Sequence, residues 1–93
     1  MGHSAVSQMR KVVIYTKEGC HLCERVIAEL DKLSKMHSFE VSIRDITNDL
    51  ELFERYRNIV PVVSIDGVVR FTAKSLANPR ALEDSLRNAL KPE

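Results

Sequence analysis

The two thiols of this 93-residue chain, Cys20 and Cys23, stand three positions apart. Two cysteines scattered at random in such a chain would fall at that spacing only about 2% of the time, so the spacing calls for a chemical reason. The pair lies where a β-branched run gives way to a helical pattern, which puts Cys20 at a helix N-terminus. Exposed backbone N–H groups and the helix dipole there favour a thiolate over a thiol, and the thiolate is the nucleophile. An ordinary thiol, with a pKa of about 8.5, is only a few per cent ionised at neutral pH; each unit of lowering corresponds to about 1.36 kcal/mol. Cys23, one turn further on, is expected to face inward and keep its proton. That asymmetry suits dithiol exchange: Cys20 attacks a disulfide, Cys23 resolves the mixed disulfide, and a Cys20–Cys23 bridge is left. Metal binding is the rival use of the pair, with His21 or His37 as a third ligand. A closed structural zinc site needs four ligands, and the chain has no second cysteine pair. A metal ion or iron–sulfur cluster shared across a dimer stays open.

The elements that must position this pair can be read from periodicity. Residues 11–16, KVVIYT, form a short β-branched and aromatic run ending in a Gly-containing turn, and read as a buried strand. From Cys20 to Leu33 the period changes: Leu22, Val26, Ile27, Leu30 and Leu33 make one apolar stripe at helical spacing. Phe39 to Ile46 alternates as a second strand, with Phe39, Val41 and Ile43 on one side. Thr47 or Asn48 offers an N-cap for a short helix through Tyr56, with Leu50 and Phe53 facing inward. Val60 to Ile65 reads as a third strand, and Asp66-Gly67 as the hairpin turn into a fourth over residues 68–71. Asn78-Pro79 is a helix start, after which Leu82, Leu86 and Leu90 form the buried stripe. The order β-α-β-α-β-β-α, with its first two strands parallel, gives an α/β fold: a mixed four-stranded sheet covered by three helices.

Charge is nearly balanced, 14 Lys plus Arg against 13 Asp plus Glu for a net +1, with a hydrophobic fraction of 44%. That argues against a nucleic-acid binder held by charge and against a polybasic membrane-surface protein. No apolar run approaches the roughly 20 residues of a membrane span. Residues 1–9 read as a flexible polar tail, Gly2-His3 resembling a cloning remnant, ahead of one domain over residues 10–91. The tail lacks the pattern of a secretory signal, so a cytoplasmic location is expected.

TKEGCHLC, followed by a helix, a strand, VP and IDG, resembles the glutaredoxin branch of the thioredoxin-like fold. More narrowly, Cys20-His21-Leu22-Cys23, Glu54-Arg55-Tyr56 and Pro61 within VPVV resemble the small C-H-L-C glutaredoxin-like proteins. The resemblance implies Cys20 as nucleophile and Cys23 as resolving thiol. It makes Pro61 the cis-proline facing the disulfide, which frees the backbone of Val60 to pair with an extended substrate. It gives Lys17 the place of a lysine that meets a glutathione carboxylate and supports the thiolate. His21 replaces the proline of the usual motif; as a cation it would further favour the thiolate. Tyr15, Phe53, Tyr56 and Phe71 are expected as core or groove walls, and Arg55 and Arg57 as a solvated face. One departure stands out: Phe71 and Thr72 fill the place of a Gly-Gly pair that permits close approach of glutathione.

The expected function is thus a thiol-disulfide oxidoreductase acting on protein disulfides or glutathione mixed disulfides. It would need no cofactor beyond its own redox-active disulfide, with glutathione as one candidate reductant, and would work as a monomer. In the cytoplasm the pair should rest reduced and cycle during turnover. The alternatives are a thioredoxin-like binding module, a redox sensor, or a metal or cluster carrier built on the same two cysteines.

Overall fold

The computed structural model of the protein describes residues 10–90, so the expected tail over residues 1–9 lies outside the described residues. Strand β1 (Arg10–Thr16) runs parallel to β2 (Phe39–Asp45), setting Val12 beside Val41 and Ile14 beside Ile43. A parallel pair needs a long crossover, and α1 (His21–Ser34) supplies it. Strand β3 (Val62–Ile65) lies antiparallel on the other side of β1, and β4 (Val68–Phe71) returns antiparallel to β3, giving the order β2-β1-β3-β4. The mixed four-stranded sheet is therefore as the alternation of apolar residues foretells.

One face of this sheet makes the core. The two-residue period of a strand puts Val12 and Ile14 on the same face as Ile65 and Val63, their neighbours in β3. Helix α1 lays Val26, Leu30 and Leu33 onto that face, and α4 (Pro79–Leu90) adds Leu82, Leu86 and Leu90 at four-residue spacing. The opposite face carries Tyr15 and Val62, paired across β1 and β3. It meets α2 (Leu50–Tyr56), whose Tyr56 ring lies 5.0 Å from that of Tyr15. Among the described residues, no helix is long and apolar enough to cross a membrane.

Three expectations change. Four helices cover the sheet, because α3 (Ala73–Leu76) follows β4 and buries Leu76 in the core. The turn at Thr47 and Asn48 is a separate 3-10 segment, Ile46–Asn48, capped by Asp45; α2 takes Asp49 as its N-cap, with Oδ1 accepting the Leu52 N–H at 3.2 Å. Leu50 consequently sits at the first helical position and is 76% exposed, whereas Phe53 is half-buried. Finally, β3 begins at Val62, and the cis Val60–Pro61 bond stands outside the ladder.

The hairpin turn has the backbone its sequence demands. Asp66 (φ 52°) and Gly67 (φ 87°) are both left-handed, the conformation of a two-residue type I′ loop whose twist matches the strands it joins. Asp66 also ties this turn to the start of β1: its N–H donates to the Lys11 carbonyl at 2.8 Å, and its Oδ1 accepts the Lys11 N–H at 2.9 Å. Arg10 extends the tie, with Nε on Asp66 Oδ2 at 3.3 Å and Nη1 on the Ala89 carbonyl at 2.8 Å. The Lys11 N–H, and secondarily Arg10, hold the Asp66 carboxyl below its ordinary value. A carboxyl lowered in the folded state contributes stability that is present above its unfolded pKa and is lost as pH falls through the folded one. Urea titrations should therefore show part of the loss of stability below about pH 4 disappearing in Asp66→Asn. An unchanged acid limb in that variant would remove Asp66 from the account.

Candidate functional site

β1 ends at Thr16, and four residues turn the chain from the sheet into α1. Gly19 takes φ 82°, a conformation side chains resist, and delivers Cys20 in extended backbone (φ −95°, ψ 102°) as the N-cap of α1. An N-cap side chain normally offers oxygen to a free N–H of the first turn. Here the Cys20 Sγ does so, accepting the Cys23 N–H at 3.0 Å. The two cysteines are joined in a disulfide with Cα atoms 5.2 Å apart. Their surroundings differ: Cys20 is half-buried, while Cys23 is 2% exposed beneath it.

The residues singled out from sequence gather at this end of the sheet. Val62 stands opposite Tyr15, so the cis Val60–Pro61 bond just before it lies beside the loop that carries the disulfide. Pro61 is buried and Val60 half-buried. Their loop is pinned on both sides: the Val60 N–H donates to the Tyr56 carbonyl at 3.0 Å, and the Ile59 carbonyl accepts the Ala73 N–H at 3.0 Å. His21 is the exposed first residue of α1. Lys17 is half-buried, and its Nζ donates to the Arg57 carbonyl at 3.0 Å. That carbonyl caps α2, where unsatisfied acceptors and the negative end of the dipole attract a cation. Lys17 thereby fastens the cysteine loop to the segment that leads into Pro61, a link that sequence spacing does not reveal.

Of the aromatic residues, Tyr15 and Tyr56 wall the face under α2, and Phe71 packs half-buried against the core. The guanidinium of Arg57 lies 5.8 Å from the Phe53 ring centre, and exposed Arg55 pairs with Glu51 at 3.6 Å. His37 follows the far end of α1; fourteen helical residues separate it from Cys20 by about 20 Å, too far to complete a metal site with the cysteines. Among the described residues, no three His, Cys, Asp or Glu side chains gather in a group that could hold a metal ion.

No curated protein matches the chain. Among solved structures, the solution structure of protein Ne2328 from Nitrosomonas europaea is 41% identical, covering 62% of this chain and 68% of its own, with a TM-score of 0.56. The crystal structure of a disulphide isomerase from Xylella fastidiosa Temecula1 is 24% identical over 95% of this chain and 83% of its own, with a TM-score of 0.62; that likeness shows a shared fold. A dithiol that closes at a helix N-terminus of such a fold supports thiol-disulfide redox chemistry in general. Matched over residues 11–91, the chain belongs to the glutaredoxin-like domain (DUF836) family.

Proposed function

We propose that the protein is a dithiol oxidoreductase that passes two electrons between its cysteine pair and a disulfide presented by another polypeptide. The observation that carries this reading is the asymmetry of the pair: Cys20 is half-buried at the N-cap with a backbone N–H on its sulfur, and Cys23 is enclosed. In the reduced protein the Cys20 thiolate attacks one sulfur of the substrate disulfide. The other substrate sulfur leaves as a thiolate, and Cys20 is held in a mixed disulfide. Cys23, deprotonated in turn, attacks Cys20, releases the second substrate thiolate and forms the bridge. The dithiol is oxidised by two electrons and the substrate reduced by two. We assign Lys17 and His21 to support the thiolate, Lys17 by fastening the cysteine loop to the Arg57 carbonyl. Val60 and Pro61 line the place of the substrate chain, although the Val60 N–H is already held by the Tyr56 carbonyl.

A polypeptide disulfide is placed ahead of a glutathione mixed disulfide because of the segment after the hairpin. Phe71 and Thr72 carry side chains where close approach is needed, and the Thr72 N–H already donates to Ser75 Oγ at 3.0 Å. The Ala73 N–H is engaged by Ile59 as well. Little donor capacity is left there for a tripeptide carboxylate. In the cytoplasm, the location we assign, reducing thiol pools would return the pair to the dithiol after each turnover.

Equilibrating the protein against glutathione redox buffers and counting thiols by mass tests the reading. A reversible two-electron couple between roughly −180 and −270 mV is expected, with only traces of glutathione adduct on Cys20. A pair that forms no bridge at any poise would sink the dithiol mechanism. A stable, abundant glutathione adduct would instead make glutathione the preferred partner.

A further inference from the structure

The two outer strands of the sheet differ as edges. β4 has four residues, and its register against β3 shifts between Val63 and Ser64; short length and a bulge both blunt an edge. β2 has seven residues in unbroken register with β1. Beside it runs a groove between α1 and the strand, lined by Ile27, Asp31, Ser34, Phe39, Val41 and Ile43. Ile43 is 56% exposed. A long, regular outer strand with an apolar flank invites pairing with another strand.

The sequence of β2 names that strand. Two copies set antiparallel about a two-fold axis through Ser42, perpendicular to the sheet, keep their α1 faces on the same side. In this register Glu40 stands opposite Arg44 of the second copy, Val41 opposite its Ile43, and Ser42 opposite its own counterpart; the first two contacts occur twice and the Ser42 contact once, on the axis, as an isologous interface requires. A slip of two residues destroys the match. One slip sets Glu40 against Ser42 and Phe39 against Ile43; the other sets Ser42 against Arg44 and Val41 against Asp45. Both lose the two ion pairs, and these are what single out the register, since the favoured one itself sets Asp45 opposite Phe39 at the strand ends. Asp45 is also committed elsewhere, its Oδ1 accepting both the N–H and the hydroxyl of Thr47. The complementary stretch is therefore residues 40–44.

We propose that two copies of the chain associate through their β2 edges in this register, joining two four-stranded sheets into one of eight strands. The Val41–Ile43 pairs bring the two apolar grooves together across the axis and supply the burial. The Glu40–Arg44 pairs choose the register and the partner, since charge across a strand pair gives specificity more than affinity. This replaces the monomer expected from sequence.

Sedimentation equilibrium on the whole chain tests it with a charge swap. The wild type should dimerise reversibly, and Arg44→Glu, which sets Glu against Glu twice, should weaken association about tenfold or more. Glu40→Arg, with Arg against Arg twice, should do the same. An equal mixture of the two variants should recover dimers, because each heterodimer then pairs arginines of one chain with glutamates of the other. Ile43→Lys should leave monomers with an unchanged melting curve, since the side chain is exposed in the single chain. The redox couple of Cys20 and Cys23 should be unaffected in all three. A wild type that stays monomeric at about 1 mM overturns the proposal and leaves this edge to a strand of some other protein. So does a mixture of charge variants that associates no better than either alone.

Discussion

Cys20→Ser should reduce disulfide exchange to the uncatalysed background, a loss on the order of a thousandfold or more, whereas Cys23→Ser should retain one half of the chemistry. The reason lies in placement. The Cys20 sulfur occupies the N-cap of α1, where the Cys23 N–H donates to it at 3.0 Å. When the bridge opens, that donor and the helix dipole act on whichever charge the sulfur carries, and they favour the thiolate. A serine hydroxyl there can accept the same hydrogen bond and cap the helix equally well, so the fold survives. What it lacks is an ionisable nucleophile near neutral pH and a sulfur able to form the mixed disulfide. Cys23→Ser leaves the nucleophile in place and removes the group that resolves the intermediate. That variant should accumulate a covalent adduct on Cys20 with a disulfide substrate, seen as a mass increase that dithiothreitol reverses. Reduction of a protein disulfide, followed by the appearance of free thiols, is the readout for both. A Cys20→Ser protein that exchanges as fast as wild type would show that the nucleophile has been misassigned. Equal adduct formation on Cys23 in Cys20→Ser would show that the enclosed position is accessible after all.

How much of this could be read from residues alone depends on whether the signal is local. The cysteine spacing, the Asp66-Gly67 turn and the leucine repeat of α4 each specify their structure within a few residues, and each is found where the pattern puts it. Asp66 and Gly67 both need positive φ, and few sequences state that so clearly. The start of α2 was less legible. Asp45, Thr47, Asn48 and Asp49 are all good capping residues, and a pattern cannot choose among four caps in five positions. The chain uses two of them, Asp45 for the 3-10 turn and Asp49 for the helix. The short α3 leaves no such signal, because its single buried residue, Leu76, gives no periodicity. Lys17 stands out only through the family resemblance, and its bond to the Arg57 carbonyl joins positions 40 residues apart and leaves no trace in spacing. Pro61 shows the limit from the other side: nothing in VPVV distinguishes a cis bond from a trans one, and only the family resemblance led to it.

The Asp49 cap also sets up a sharp energetic contrast between two leucines, Leu50 and Leu86, that are alike as apolar residues of helical segments. Leu86→Ala should cost about 2–5 kcal/mol, and Leu50→Ala no more than about 0.5 kcal/mol. Leu86 is fully enclosed in the cluster that α1, α3 and α4 form over the sheet. Truncating it loses the transfer free energy of three carbons and leaves a cavity that the rest of the cluster fills only in part. Domains of this size hold only about 5–15 kcal/mol in total, so the variant should melt well below wild type or fail to fold at moderate temperature. Leu50, at 76% exposure, has little to lose on truncation, and alanine suits the first turn of α2 better than a longer apolar chain in water. Urea denaturation of both variants measures the difference directly, with unchanged slopes showing that the unfolded states are comparable. If Leu50→Ala proved as damaging as Leu86→Ala, the inward orientation that a Thr47 or Asn48 cap implies would be right and the Asp49 cap wrong. Because a change at Leu50 leaves the disulfide and the Pro61 loop untouched, its redox couple should also match that of wild type, which separates a folding defect from a chemical one.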